Sequence, residues 1–313
     1  MLQRTLRLAL ATFGLLSGAG CGTQGESAPG PDLATPPLDG GTVTEPSDLG
    51  PGDLGGIDAG EPDLGTPFEP YYADGFETYE DGQGLSGVAF GSAGRTTASH
   101  EQAARGSMSA RMAIQRGDGG GFGRWGGIVR IDPVLRAGEE VWVRLDVYWP
   151  SSFEFSASPW MKFLRLHSRF ADGSNGGYND LYVDEADQRR SVLRTIKEIH
   201  DQWEVYGGEP IPRDRWERYE MYLSIDDVPA DEGGSGRVRI WRDGELIFDR
   251  ADVPTIPDAE GDIDAFYLFT YWNNELPPDN HCYIDDLVIA TSASPPTNLD
   301  ADGNRTIGDW VGP

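Results

Sequence analysis

The chain has 313 residues, a length that allows one large domain or two small ones. Its 52 acidic and 25 basic residues give a formal net charge of −27, which would repel a polyanion, so nucleic-acid binding is not expected. The 42 glycines and 22 prolines argue against a helical bundle, and the two cysteines, Cys21 and Cys282, exclude a disulfide framework.

The N-terminal segment predicts export. An apolar run over 6–16 is too short to span a bilayer, and it is followed by small residues and Cys21. The small residues before Cys21 resemble a bacterial lipobox, with Gly18 where leucine is usual. We predict a signal peptide over 1–20 and a lipid anchor on Cys21, the only membrane attachment, at the outer membrane or cell surface. The alternative is ordinary cleavage nearby and a free secreted protein.

Residues 21–67 predict a disordered tether. Positions 22–67 hold nine acidic residues, 11 glycines and eight prolines, with no lysine or arginine. Such low-complexity sequence cannot bury a core, and its charges repel one another. We therefore expect a flexible spacer that holds a folded domain away from a membrane.

From residue 68 onward, runs of alternating apolar and polar residues predict β-strands separated by turns. Asp243-Gly244 predicts a hairpin, and a short helix is expected over 184–190. Many strands in one block indicate a single β-sandwich over 68–292, followed by a tail over 293–313. The alternating runs cover 140–149, 160–169, 192–199, 216–225, 237–248, 265–272 and 282–291.

Several segments, in their order along the chain, resemble concanavalin A-like jelly rolls and, among them, the polysaccharide lyase-like group. The resemblance covers about 68–292, and its most specific parts are the closing strand and the hairpin. It implies an all-β fold, a β-sandwich (jelly roll) of two curved antiparallel sheets whose concave sheet forms an oligosaccharide-binding groove. The segments are 75–78, 141–144, 160–165, 214–220, 238–244 and 283–291.

The resemblance also implies a structural calcium ion that bridges the first and last strands. Glu77 and Asp286 match the ligand positions, and calcium takes several carboxylate and carbonyl oxygens. The alternative is that both are solvated acids at strand ends. No other cofactor is expected. Asp300 begins a sequence like an EF-hand loop, but Arg305 replaces the glycine of that loop, so an Asx-rich turn is favoured.

Lyases that cleave uronate polysaccharides need a group that neutralises the carboxylate, a base for the C5 proton and an acid for the leaving oxygen. The strand over 160–169 is expected to place Arg165, His167 and Arg169 on one face and Lys162 on the other. We predict that Arg165 neutralises the carboxylate, His167 acts as base and Lys162 binds substrate. A solvated face whose arginines pair with acids is the alternative.

Further candidates follow along the chain. Tyr271 and Asn273 resemble polar groove residues of the family, so Tyr271 is predicted as acid or base and Asn273 as a second carboxylate-neutralising group. Lys197, His200 and Trp241 are predicted to bind substrate, since a tryptophan can stack on a sugar ring. Exposed loops or core packing are the alternatives.

Other enzyme classes are not indicated. Glu260-Gly261-Asp262 begins the Glu-x-Asp-x-x-Glu strand of retaining glycosidases, but Ala265 occupies the second glutamate position. The Gly-x-Ser-x-Gly, His-Glu-x-x-His and P-loop motifs are absent from the sequence. We expect a monomer that acts on an extracellular uronate polysaccharide by β-elimination. The alternatives are a non-catalytic carbohydrate-binding or adhesion lipoprotein, or a sandwich that binds protein partners.

Overall fold

A computed structural model describes residues 68–85, 95–115, 126–155, 160–187, 190–197, 202–269 and 279–309. Their regular structure is β-strand apart from one 3-10 turn, Ala230–Glu232, and they contain no helix with the length and apolar character needed to cross a membrane. The strands are β1 (Tyr72–Asp74), β2 (Thr96–Ser99), β3 (Ser109–Ile114), β4 (Gly127–Leu135), β5 (Glu140–Tyr148), β6 (Trp160–Arg169), β7 (Asn175–Asp187), β8 (Arg190–Lys197), β9 (Gln202–Val205), β10 (Trp216–Ser224), β11 (Arg237–Arg242), β12 (Glu245–Arg250), β13 (Asp262–Leu268), β14 (Asn280–Thr291), β15 (Asn298–Leu299) and β16 (Arg305–Thr306).

The strands form two large antiparallel sheets, which confirms the predicted fold class. The eight-stranded sheet has the order β12-β11-β10-β5-β14-β3-β2, with β1 also paired to β14. The six-stranded sheet has the order β4-β13-β6-β7-β8-β9. Strands that are adjacent in the sequence are often not adjacent in a sheet. β5, for example, lies between β10 and β14. Connections that cross from one sheet to the other in this way are typical of a jelly roll.

The hydrophobic core lies where the apolar faces of the two sheets meet. The apolar residues of β5 at 141, 143, 145 and 147 all face this core, as their alternation predicts. Trp149 is fully buried just beyond β5, and its ring lies 4.9 Å from that of Phe153, 5.7 Å from Phe163 and 5.6 Å from Phe269. These edge contacts join the end of β5 to β6 and to the end of β13, so they fix the two sheets against each other.

Two local predictions have opposite outcomes. Asp243 and Gly244 connect β11 to β12 with φ of 50° and 82°, the conformation of a tight hairpin turn, so that prediction is confirmed. The helix expected over 184–190 is wrong, because Asp184–Asp187 extends β7 and Arg190 begins β8. Pairing of β7 with strands on both sides overrides its local preference for helix.

The C-terminal segment 293–309 packs on the outward face of the eight-stranded sheet. Ile307 is fully buried there, in an apolar cluster with Trp142, Tyr222 and Trp241. The Glu220 carboxylate accepts hydrogen bonds from the backbone N–H groups of Ile307 at 2.6 Å and of its successor at 3.2 Å. The segment therefore completes a second, smaller core outside the sandwich.

Asp300 anchors a turn of this segment. Its carboxylate accepts hydrogen bonds from the backbone N–H groups of Asp302 and Asn304, and from Trp241 Nε1 at 2.8 Å. The residues that resembled an EF-hand loop therefore form the Asx-rich turn that the sequence favoured.

Ile307→Ala should lower the free energy of unfolding by about 2–4 kcal/mol, because it opens a cavity among buried rings. Urea denaturation of wild type and variant measures the difference. Leu299→Ala is the matched control in the same segment: Leu299 is 63% exposed, so its truncation should change stability by less than about 0.5 kcal/mol. Equal effects of the two substitutions would contradict the proposed packing of this segment.

Buried carboxyl groups on this outward face make stability depend on pH. Burial raises the pKa of Glu220 to about 7, against the lowering effect of its hydrogen bonds from Ile307 and Gly308. Burial also raises the pKa of Asp285 to about 7. The folded protein thus binds these protons more tightly than the unfolded chain. The stability they contribute is fully present below about pH 4 and is lost as the pH rises through 7.

We expect the free energy of unfolding to fall between pH 5 and pH 8, with Glu220 accounting for roughly 2–3 kcal/mol of the change. Glu220→Gln cannot ionise, so the variant should show a flatter pH profile. Urea denaturation at several pH values measures both profiles. A constant difference between wild type and variant across this range would show that Glu220 does not titrate there.

Candidate active site

β6 runs through the middle of the six-stranded sheet, between β13 and β7. A bulge between Lys162 and Leu164, in the pairing with β7, shifts the alternation of the strand by one residue. Lys162 consequently shares a face with Arg165 and His167, while Leu164 and Leu166 join the core. The sequence-based expectation that Lys162 faces the other way is wrong, because strict alternation does not anticipate the bulge.

This outward face of the sheet, here named the site face, carries basic and aromatic side chains from three strands. β6 and β7 pair Lys162 with Tyr182, Arg165 with Asp180 and His167 with Tyr178. On the other side of β6, the backbone of Tyr267 lies opposite that of Arg165. The members of the site face are Lys162, Arg165, His167, Tyr178, Asp180, Tyr182 and Tyr267.

The cations at one end of the site face have partners within the protein. The Lys162 ammonium donates to the Tyr182 hydroxyl and lies 4.3 Å from the centre of that ring. Arg165 Nε donates to Asp180 Oδ1 at 2.5 Å, and the guanidinium carbon lies 3.5 Å from the centre of the Tyr178 ring. Arg165 is only 1% exposed. This geometry does not support its predicted role in direct contact with a substrate carboxylate.

His167 is bonded at both ring nitrogens. Nδ1 lies 2.5 Å from Asp264 Oδ1, and Nε2 lies 3.0 Å from Asn175 Oδ1. Its ring centre is 4.8 Å from that of Tyr178 and 5.6 Å from that of Tyr267. The surroundings open to solvent here, since Asn175 is exposed and Tyr178 is half-buried. His167 itself is 9% exposed, so it lies just beneath the surface of the site face.

Asp264 reaches His167 because of a second bulge, between Ile263 and Ala265 of β13. Its other carboxylate oxygen accepts a hydrogen bond from Arg130 at 3.0 Å and lies 3.8 Å from Arg169. Burial alone would raise the pKa of Asp264, but the hydrogen bond from His167 and the nearby arginine charges hold it below its usual value. Asp264 is therefore an ionised carboxylate in contact with His167.

Arg169 and Tyr267 complete the surroundings of His167. Arg169 makes a two-point contact with Asp262, at 2.7 and 2.9 Å. Burial raises the pKa of Tyr267, so its phenol keeps its proton at neutral pH. The Tyr267 and Tyr178 rings meet edge to face at 5.4 Å. The site thus combines cations with tyrosines able to move protons.

Sequence reasoning missed several members of this site. It assigned no role to Tyr178, Tyr182, Tyr267 or Asp264. The alternation of polar residues at 178, 180 and 182 was a signal that could have found the β7 members. Asp264 carried no such signal, because its orientation depends on the bulge in β13.

The structure does not bring all predicted site residues together. His200, Tyr271, Asn273 and Cys21 lie outside the described residues. The backbone of Lys197 lies at the end of β8, opposite Asn179 and Gln202, and its side chain is outside the description.

Trp241 belongs to the other sheet and is 2% exposed. It packs against Ile307 and Trp142 and donates its Nε1–H to Asp300, so its predicted contact with substrate is not supported. The ring fills the small outer core instead.

The two predicted calcium ligands have other partners. The Glu77 carboxylate accepts hydrogen bonds from the backbone N–H groups of Ser107 and Met108. Asp286 lies 3.1 Å from Arg105 and 3.3 Å from Arg144, two cations that would compete with a metal ion. Within the described part of the chain, no group of three or more histidine, cysteine, aspartate or glutamate residues is placed to hold a metal ion. These residues therefore do not fit the predicted calcium site.

Comparisons with known proteins agree with the fold. A family model described as polysaccharide lyase matches residues 73–287. A solved structure of an alginate lyase, Aly36B, bound to an alginate trisaccharide has a TM-score of 0.52 and 19% identity, covering 70% of this chain and 96% of that one. Another structure of Aly36B has a TM-score of 0.51 and 18% identity, covering 70% and 95%. An endo-β-1,4-glucuronan lyase from the fungus Trichoderma reesei has a TM-score of 0.46 and 11% identity, covering 71% and 95%. No curated protein matches the sequence.

Asp180→Ala should lower the free energy of unfolding by about 3–5 kcal/mol, because it leaves the buried Arg165 guanidinium without its carboxylate. Urea denaturation measures the loss. The matched control is Asp249→Ala, which breaks a two-point pair with Arg237 and a contact with Arg239 at 3.3 Å. The Asp249 side chain is 30% exposed and that of Arg237 is 33% exposed, so this substitution should cost less than about 1 kcal/mol. Similar small losses would show that the pair of Arg165 and Asp180 does not stabilise the sheet as expected.

Proposed function

The chain belongs to the polysaccharide lyase family, and we propose that it cleaves a uronate-containing polysaccharide by β-elimination on the site face. The observation that carries this proposal is the cluster of His167, Tyr178 and Tyr267 beside Arg130 and Arg169. The arginines are cations that can neutralise a carboxylate. The histidine and the two tyrosines can transfer protons, and their ring centres lie 4.8–5.6 Å apart. The Gly-x-Ser-x-Gly, His-Glu-x-x-His and P-loop motifs of other enzyme classes are absent from the sequence.

The reaction breaks two bonds and forms one double bond. A base removes the proton from C5, the C4–O4 bond breaks with its electron pair on O4, and an acid protonates that oxygen. A C4=C5 double bond remains in the product. Charge builds up on the uronate carboxylate as C5 loses its proton, so a nearby cation lowers the barrier.

Tyr178 and Tyr267 suit the two proton transfers. Tyr178 is proposed as the base, since its ring lies 4.8 Å from that of His167 and 3.5 Å from the Arg165 guanidinium carbon. The Tyr267 phenol keeps its proton, since burial raises its pKa, and it suits the acid. Tyr271 and Asn273 stay predictions for the same steps.

The substrate is proposed to be an extracellular polyuronate. Alginate is the polysaccharide that the compared Aly36B structure holds, and alginate and glucuronan share the carboxylate that this site suits. The lipid anchor on Cys21 and the tether over 21–67 stay predictions from the sequence. They would place the domain outside the cell, where such polymers occur.

One observation favours the non-catalytic alternative. Lys162 and Arg165 are nearly fully buried and bonded within the protein, so part of the basic face is structural. A carbohydrate-binding module would need the remaining surface around His167 but no base.

An absorbance assay separates the two functions. The purified protein is mixed with alginate, glucuronan, pectate and glycosaminoglycans, and the ultraviolet absorbance of unsaturated uronate is followed. We expect a rise with one polymer. Tyr267→Phe removes the acid and should lower kcat at least about 100-fold with little change in KM. Tyr206→Phe, a half-buried tyrosine outside the site face, is the matched control and should keep wild-type activity. A flat trace with every polymer, together with measurable binding, would leave the carbohydrate-binding alternative.

A further inference from the structure

We propose that the outward face of the eight-stranded sheet carries a second carbohydrate-binding site, and that this site takes a neutral sugar chain. A cavity of about 630 Å³ lies on this face, within the range of roughly 300–1,000 Å³ that is usual for small-ligand sites. The sheets pack against each other through their inner faces, so this cavity and the site face lie on opposite sides of the sandwich. The proposal therefore does not depend on cleavage at the site face.

Three parts of the chain form the walls of this cavity. The sheet supplies Trp216 and Arg218 from β10 and Asp146 from β5, the loop before β3 supplies Arg105, and the C-terminal segment supplies Asp309. Arg218 donates a hydrogen bond to the Asp309 carboxylate at 2.5 Å, which holds the segment at the edge of the cavity. The Asp309 side chain is 89% exposed, so the cavity opens to solvent at this edge.

Trp216 gives the cavity an apolar wall. Tyr219 and Met221 of β10 face the core, so the alternation of the strand points Trp216 outward. Its backbone pairs with that of Tyr148, and the two ring centres are 5.6 Å apart. The Tyr148 ring in turn meets that of Tyr283 edge to face at 6.0 Å, so a row of three rings crosses the sheet and supports the indole from one side. Trp216 is half-buried, which leaves part of its ring for the apolar C–H face of a sugar.

Hydrogen-bonding groups of both kinds surround this ring. The guanidinium groups of Arg105 and Arg218 only donate hydrogen bonds, and both side chains are partly exposed. The carboxylates of Asp243 and Asp309 only accept them, and both are exposed. Sugar hydroxyls donate and accept, so a sugar can satisfy both kinds of group. An apolar partner surface would instead bury these charges without new hydrogen bonds, which is costly.

The charge of the cavity favours a neutral sugar over a uronate. Six acidic side chains and two arginines line it, and the acids still outnumber the cations when three further arginines that contact them are counted. A uronate carboxylate would therefore be repelled. An amino sugar would lie beside Arg105 and Arg218, which repel its ammonium group. The acidic lining residues are Asp146, Glu217, Glu220, Asp243, Asp300 and Asp309, and the three further arginines are Arg144, Arg215 and Arg242.

Calorimetric titration of the purified protein tests the site. The probes are hexasaccharides of cellulose, mannan, xylan and β-1,3-glucan, with those of alginate and chitosan as charged comparisons. We expect one of the neutral hexasaccharides to bind. Trp216→Ala should weaken this binding at least about tenfold, because the sugar loses its stacking surface. Phe170→Ala is the matched control: Phe170 is 41% exposed just after β6 in the other sheet, and its truncation should leave the binding unchanged.

Nuclear magnetic resonance locates the ligand on the wild-type protein. The chain has nine tryptophans, and Trp216→Phe identifies the indole N–H signal of Trp216 by its loss. We expect the bound neutral hexasaccharide to shift this signal. If no neutral hexasaccharide binds, or if binding leaves the Trp216 signal in place, the proposal is wrong, even where Trp216→Ala does not fold. A shift with the alginate or chitosan hexasaccharide alone would overturn the assigned class of sugar. Cleavage of a polyuronate is measured separately, so failure of the proposed function would not decide this result.

Discussion

The structure of the site depends on one constraint, which is that every charged side chain on β6 must be balanced where it is buried. A lone cation in a protein interior is costly, and its cost is offset only by a well-placed opposite charge or a set of hydrogen bonds. Arg165 meets Asp180 from β7, and His167 meets Asp264 from β13. These pairs tie β6 to both neighbours, so the same contacts stabilise the sheet and fix the site.

The two sides of β6 serve different purposes. Leu164 and Leu166 pack into the main core, while the alternate residues carry the charges. The bulge between Lys162 and Leu164 changes the alternation of β6 by one residue. Leu164 and Leu166 therefore face the core, while Lys162 lies on the same face as the charged residues that follow. The eight-stranded sheet also has buried charges on its outward face, but a different part of the chain covers them. Its outward charges around Arg144 are buried beside a C-terminal segment that adds its own core at Ile307.

The sequence predicts the fold better than the site, for a physical reason. Alternation reports which residues of a strand are apolar, and the valines of β5 face the core as expected because burial selects for that pattern. Alternation does not report bulges, so it misplaced Lys162 and gave no role to Asp264. It also cannot distinguish a tryptophan that stacks on sugar from one that fills a core, as Trp241 shows. The helix expected over 184–190 failed because sheet pairing with distant strands decides that segment.

The net charge of −27 opposes the approach of a polyanionic substrate, but repulsion at long range and contact at short range are separate effects. Charges more than about 8–10 Å from a bound ligand are largely screened at physiological ionic strength. Most of the acidic residues therefore slow the association of an anionic ligand more than they weaken its binding. Contact depends on the few groups within hydrogen-bonding distance. There Arg130, Arg136 and Arg169 lie beside the carboxylates of Asp262 and Asp264, so three arginines meet two acidic side chains. Under the proposed function, this local excess of arginines lets an acidic domain bind a polyuronate.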